Sequence, residues 1–171
     1  RNQGASVADT IAAWEEIAPL AQAAGIRAQV TISVAFGCPF EGEVPQQRVV
    51  EVATRLARSN PIEIAIADTI GVAVPSQVTE LVDRLRQALP TVPLRCHFHN
   101  TRNTAVANAY AAVLAGVRTL DASVGGVGGC PFAPNATGNV ATEDLLYMLS
   151  RAGFATGVDL AKLIDTAKWL Q

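Results

Sequence analysis

The chain of 171 residues is 50% hydrophobic and 16% charged with a net charge of −2, the make-up of one α/β domain with a sizeable core packed from Ala, Val and Leu. It has no cluster of Lys and Arg and no apolar run of about 18 residues, which argues against nucleic acid or acidic membrane as the main partner and against a spanning helix. The three cysteines are Cys38, Cys96 and Cys130. So odd and low a number does not make a disulfide framework, and a reducing, cytoplasmic setting is expected; no two stand two to four residues apart, so no zinc knuckle is expected either. The opening "RNQGASVADT" has no Met and no basic-then-apolar leader, and is expected to be the start of a fragment.

Taken in chain order, residues 6–24 carry apolar residues at helical spacing, with Ser6 as cap and Gly25 as stop. Residues 27–36 are rich in β-branched residues and end at "GCP", a strand running into a loop. Residues 45–59 predict a helix with Pro45 in its first turn. Residues 62–71 predict a strand, 75–89 a helix opening on Pro75, and 93–100 a strand. Residues 103–116 predict a helix closed by Gly116, 118–126 a strand, and 142–153 a helix capped by Thr142; a last helix covers 160–170. Strict alternation of strand and helix predicts four parallel strands with helical crossovers in a single domain, 1–171.

Two architectures satisfy that pattern: an open doubly wound sheet and part of a (β/α)8 TIM barrel. A dinucleotide-binding sheet calls for GxGxxG opening a helix directly after a strand. In "GGVGGCP" the glycines are followed by Cys130 and Pro131, and no helix is expected before Thr142. The barrel is therefore favoured, and its chemistry belongs at the C-terminal ends of the strands. Polar residues collect there: Cys38 after the first strand, Asp68 and Thr69 on the second, His97 and His99 on the third, and a Gly-rich loop with Cys130 after the fourth.

His97 and His99 are the only histidines, at i and i+2 of a strand. The pleat puts both imidazoles on one face, close enough to bind one cation, with Cys96 and Phe98 turned to the covering helices. The loop "GGVGGCPFAPNATGN" can approach a ligand closely or close as a lid, with Gly128 and Gly129 leading into Cys130, a candidate acid, base or nucleophile. Asn139 offers an amide oxygen suited to Mg2+ or Mn2+. Glu143 is placed either to orient that amide or to complement a helix N-terminus, and Asp68 to ligate, position or cap. The tetrapeptide "GCPF" occurs twice, at Cys38 and at Cys130. Only the second copy has flexible glycines before it and a candidate ligand after it, so the chemistry is expected at Cys130, and Cys38 is expected to be a loop residue near the rim.

The stretches "SVAFGCPFEG", "ADTIGVAVPSQV", "HFHNTRNTAVAN" and "DASVGGVGGCPFAPNATGNVATEDLLYML" resemble the C-terminal half of the 3-hydroxy-3-methylglutaryl-CoA lyases, members of the DRE-TIM metallolyase superfamily. The resemblance covers nearly the whole chain. It implies a (β/α)8 barrel with Mg2+ or Mn2+, an acyl-CoA substrate cleaved to acetyl-CoA and acetoacetate, and a place in leucine degradation and ketone body formation. By motif, His97, His99 and Asn139 match metal ligands, Cys130 the catalytic thiol, and His97 is also the candidate base. Asp68, Thr69, Gly128, Gly129 and Glu143 fall around the substrate. The Asp-Arg-Glu motif of the superfamily is absent, because "DRL" at Asp83 falls within a predicted helix. The activity is therefore expected of a longer parent protein, and this half-barrel is expected to pair with the missing half or with itself. A related aldolase or Claisen-type synthase, or an inert half-barrel, are the alternatives.

Overall fold

The computed structural model describes residues 4–129 and 138–170. Its elements are α1 (Val7–Ala23), β1 (Val30–Ile32), a hairpin of β2 (Gly37–Cys38) and β3 (Gly42–Glu43), α2 (Gln46–Ala57), β4 (Ile64–Asp68), α3 (Pro75–Ala88), β5 (Leu94–Phe98), α4 (Ala105–Leu114), β6 (Thr119–Asp121), a 3-10 turn (Val124–Gly126), α5 (Thr142–Arg151) and α6 (Leu160–Leu170).

The main sheet has the order β1-β4-β5-β6, every pair parallel. A doubly wound sheet reverses its strand order at a switch point. Here each parallel strand lies beside its successor in the chain, as consecutive strands of a (β/α)8 barrel do. β1 and β6 each have one partner among the described residues. The accessible surface, 9586 Å2, exceeds the roughly 8,000 Å2 expected of a compact monomer of this mass, in keeping with a sheet that does not close on itself.

The registers sort the side chains into two faces. Ala65, Arg95 and Thr119 are register partners, as are Ala67, His97 and Asp121, and this set lies on what would be the lumen face of a barrel. The alternate set, Ile64 and Ile66 of β4 with Leu94, Cys96 and Phe98 of β5, is buried. It packs with Val78, Leu81, Val82 and Leu85 of α3 and Ala105, Ala109 and Ala112 of α4. The expectation that Cys96 and Phe98 face the helices is met, and burial pushes the Cys96 thiol up to about 12, which makes it a packing residue.

α1 begins with a reciprocal cap: Asp9 N–H donates to Ser6 Oγ at 3.2 Å while Ser6 N–H donates to the Asp9 carboxylate at 3.1 Å. Its buried stripe, Ile11, Trp14 and Ala18, packs against Leu56 of α2, and Trp14 Nε1 donates to the Leu56 carbonyl at 3.0 Å.

Several boundaries differ from expectation. The first strand is only three residues long, and "GCPFEGE" forms the β2–β3 hairpin, turned by Gly42 at φ 81°. Cys38 is thus a strand residue of that hairpin and is half-buried. Pro45 is the N-cap of α2, one position before its first turn. Thr142 is the first residue of α5, with Ala141 as cap. Its N–H donates to the Ser123 carbonyl at 2.8 Å, so a tertiary bond to the end of β6 starts that helix where a side-chain cap was expected.

Candidate functional site

His97 and His99 stand together at the carboxyl end of β5, as the period-2 pleat requires. Their ring centroids are 5.1 Å apart in an edge-to-face arrangement. His99 is 5% exposed, while the His97 side chain retains 27%. Burial, followed by the neighbouring His99, holds the His97 imidazole below its usual range for proton uptake, against the opposing pull of Asp121 and Asp68. His97 is therefore neutral near pH 7 and has a lone pair to offer.

Asn139 is brought to the histidines by the backbone. Asn100 N–H donates to the Gly138 carbonyl at 3.0 Å and Val140 N–H to the Phe98 carbonyl at 3.2 Å, which pairs His99 with Asn139 in an antiparallel bridge. Ser123 N–H donates to the Val140 carbonyl at 3.2 Å, so residues 138–142 wedge between the ends of β5 and β6. Asn139 Nδ2 donates to the Val127 carbonyl at 3.0 Å, which commits the amide nitrogen and leaves Oδ1 as its ligating atom. The wedge needs a glycine at 138, because a Cβ there would stand 2.6 Å from the Gly126 carbonyl oxygen.

Glu143, in the first turn of α5, makes a bond that neither of its expected roles includes. Its carboxylate accepts the Gly125 N–H with both oxygens, at 3.0 and 3.1 Å. It thereby anchors the start of the glycine loop and does not orient Asn139. Gly128 lies against that amide, since a Cβ on it would come within 2.9 Å of Asn139 Nδ2. Gly129 leads into the segment that holds Cys130, and Cys130 lies outside the described residues.

Of the three roles open to Asp68, the structure shows that of a cap. In register with Phe98, it lies on the helix-facing side of the sheet and is fully buried. Its Oδ1 accepts from Val72 N–H and Oδ2 from Ala73 N–H, both at 3.0 Å. It caps the β4–α3 loop, and its backbone carbonyl accepts His99 N–H at 3.2 Å, so its bearing on the site is to hold the His99 backbone. Gly71, at φ 61°, completes that junction, because a Cβ there would meet the His99 carbonyl oxygen at 2.8 Å. Thr69 Oγ1 accepts from Val34 N–H at 3.0 Å and ties the β1 rim to β4.

Reasoning from the sequence passed over Glu63, Arg95 and Asp121. Arg95 Nε and Nη2 donate to Glu63 Oε1 at 2.8 and 2.6 Å, and Arg95 Nη1 donates to Asp121 Oδ1 at 2.5 Å. The signal was available: these are charged residues at inward-facing positions of otherwise apolar strands.

Among the described residues no group of three or more His, Cys, Asp or Glu is placed to hold a metal ion. The candidate donors are two imidazoles and one amide oxygen. That set fits a divalent cation of mixed nitrogen and oxygen preference with several positions left to oxygen ligands from elsewhere. No described helix is long and apolar enough to cross a membrane.

The strand order and the polar rim define a sector of a (β/α)8 barrel with its chemistry at the strand ends. The family model described as HMGL-like matches residues 2–170, and the chain belongs to that family. Among curated relatives, the (R)-citramalyl-CoA lyase of Chloroflexus aurantiacus is 47% identical over 146 residues, 85% of this chain and 46% of the relative. The hydroxymethylglutaryl-CoA lyase of Pseudomonas mevalonii is 43% identical over 159 residues, 93% of this chain and 53% of the relative. A solved HMG-CoA lyase from Acinetobacter baumannii, in complex with coenzyme A and 3-methylmalate, superposes with a TM-score of 0.89 at 38% identity, over 95% of this chain and 53% of that one. The chain spans about half the length of the curated relatives it matches.

Proposed function

We propose that the protein to which this chain belongs is a divalent-metal-dependent carbon–carbon lyase. It cleaves 3-hydroxy-3-methylglutaryl-CoA to acetyl-CoA and acetoacetate, and this chain supplies the imidazole and amide side of its site. The observation that carries the proposal is the bridge that sets Asn139 against His99, beside a second imidazole 5.1 Å away, in a chain of the HMGL-like family.

His97, His99 and Asn139 would hold Mg2+ or Mn2+. Bound there, the cation would polarise the tertiary hydroxyl of the substrate and lower its pKa. The site must then take the hydroxyl proton, for which His97 is the candidate in this chain, as the bond between C2 and C3 breaks. The electron pair of that bond passes to the thioester as an enolate, and Cys130 gives a proton to C2. The stabilising arginine and the carboxylate ligand of the superfamily would come from another part of the protein, so the chain alone is expected to be inactive until it pairs with that part.

A second reading rests on the 47% identical citramalyl-CoA lyase, whose substrate is one methylene shorter. One methylene is worth about 1–3 kcal/mol of discrimination, so the full-length protein assayed with both thioesters should prefer one by roughly 10- to 200-fold. Acetoacetate as the favoured product supports the first reading, and pyruvate the second. His99→Ala should weaken Mn2+ binding by about 100-fold or more, beyond what loss of an outer-shell partner does. Unchanged binding by calorimetry would remove His99 from the ligand set.

A further inference from the structure

The lumen face of the sheet carries a chain of charged groups that ends on His97. Glu63 holds the Arg95 guanidinium through two donors, and the third arm of Arg95 takes Asp121 Oδ1. The other carboxylate oxygen of Asp121, Oδ2, then stands 3.8 Å from His97 Nδ1. The arrangement spans three adjacent strands and follows from register, since Asp121 is the direct partner of His97. The side chains of Glu63, Arg95 and Asp121 are 10%, 25% and 33% exposed, so these pairs are better shielded than ion pairs on an open surface. Two carboxylates share one guanidinium, which leaves one net negative charge facing Nδ1.

We infer that Glu63, Arg95 and Asp121 are positioning residues that hold His97 with its proton on Nδ1 and its one lone pair on Nε2, turned away from Asp121. A bare Nδ1 lone pair would face a carboxylate oxygen with like polarity, whereas Nδ1–H presents the positive end of its dipole to it. Arg95 removes the freedom of Asp121 to rotate away, and Glu63 does the same for Arg95. The consequence rests on the proposed metal site. With a single lone pair, His97 cannot ligate a cation and accept the substrate proton at once, so one of the two roles assigned to it belongs to another group.

The tautomer is testable without metal or substrate, through the imidazole 15N signals of the metal-free chain at a pH where His97 is neutral. The expected result is a protonated-type Nδ1 and an unprotonated-type Nε2 for His97. Asp121→Ala should move His97 to the opposite tautomer or a mixture while the His99 signals and the backbone amide spectrum stay in place. Asp121→Asn, whose single oxygen is held by Arg95 and whose amide N–H then faces Nδ1, should move the His97 proton to Nε2. Should Asp121→Ala fail to fold, the wild-type signals and the Asp121→Asn variant decide. A wild-type His97 protonated on Nε2, or an unchanged pattern in a folded Asp121→Ala variant, overturns the relay. Failure of Mn2+ to bind with the tautomer as stated would instead count against the metal site alone.

Discussion

Replacing Phe98 with alanine is expected to cost about 3–5 kcal/mol of folding stability. Phe98 is 1% exposed and heads the fully buried side chains by volume. It meets Phe36 with ring centroids 6.4 Å apart and lies in the cluster formed with α3 and α4. Its deletion leaves a cavity under the strand end that carries His97 and His99, so the loss reaches the site as well as the core. Phe98→Leu, which keeps most of the volume, should cost less than half as much. Urea denaturation followed by circular dichroism measures both, and an alanine variant within about 1 kcal/mol of wild type would contradict the packing described.

Asp68→Ala is expected to destabilise the chain by about 2–4 kcal/mol, because it leaves the N–H groups of Val72 and Ala73 without their acceptor at a cost of about 1–3 kcal/mol each. That loss is partly offset by removal of a buried charge. The same residue gives stability a pH signature. Burial raises the Asp68 carboxyl above its usual range, against the downward pull of the Val72 and Ala73 N–H groups, of His99 and of the Gly71 N–H. With the folded value above the unfolded one, near 3.9, the folded state binds more protons in the interval between them. The contribution of Asp68 to stability is therefore greatest below that interval and falls as pH rises through it. Asp68→Ala should lack this component, and denaturation midpoints measured in steps from pH 3.5 upward display it. A wild type and a variant with parallel pH profiles, or midpoints that coincide, would show that the loop holds itself without Asp68.

The elements with the strongest local signals were legible in the sequence. The capping box of Ser6 and Asp9, the apolar stripes of α2 and α3 and the alternation along "LRCHF" each encode their own structure, and parallel strands joined by helices follow from them. What stayed hidden depended on contacts between distant segments. The bridge from His99 to Asn139 joins residues forty apart and is visible only once Gly138 is seen to fit against Gly126. Asp68 and His97 both sit on strands near polar ends, and only the register shows that they occupy opposite faces of the sheet. Glu143 was placed within reach of Asn139 by sequence distance, yet its carboxylate goes to Gly125, because the turn after β6 returns the glycine loop to the start of α5. The relay through Arg95 needed three strands in register before its charges could be seen to converge. The two "GCPF" copies are not equivalent: the first is built into a β-hairpin, while the expectation of chemistry at Cys130 lies outside the described residues and stands as a proposal.

The central claim is that the ends of β5 and the wedge at residues 138–142 make one face of a divalent-cation site. Paramagnetic broadening by Mn2+ in the NMR spectrum of the chain tests it most directly, since the effect falls steeply with distance and names the residues nearest the ion. The expected result is selective loss of the imidazole signals of His97 and His99 and of the side-chain amide of Asn139, at Mn2+ levels that leave the acidic surface of α1 unaffected. Broadening confined to that acidic surface, with the three rim residues intact, would contradict it.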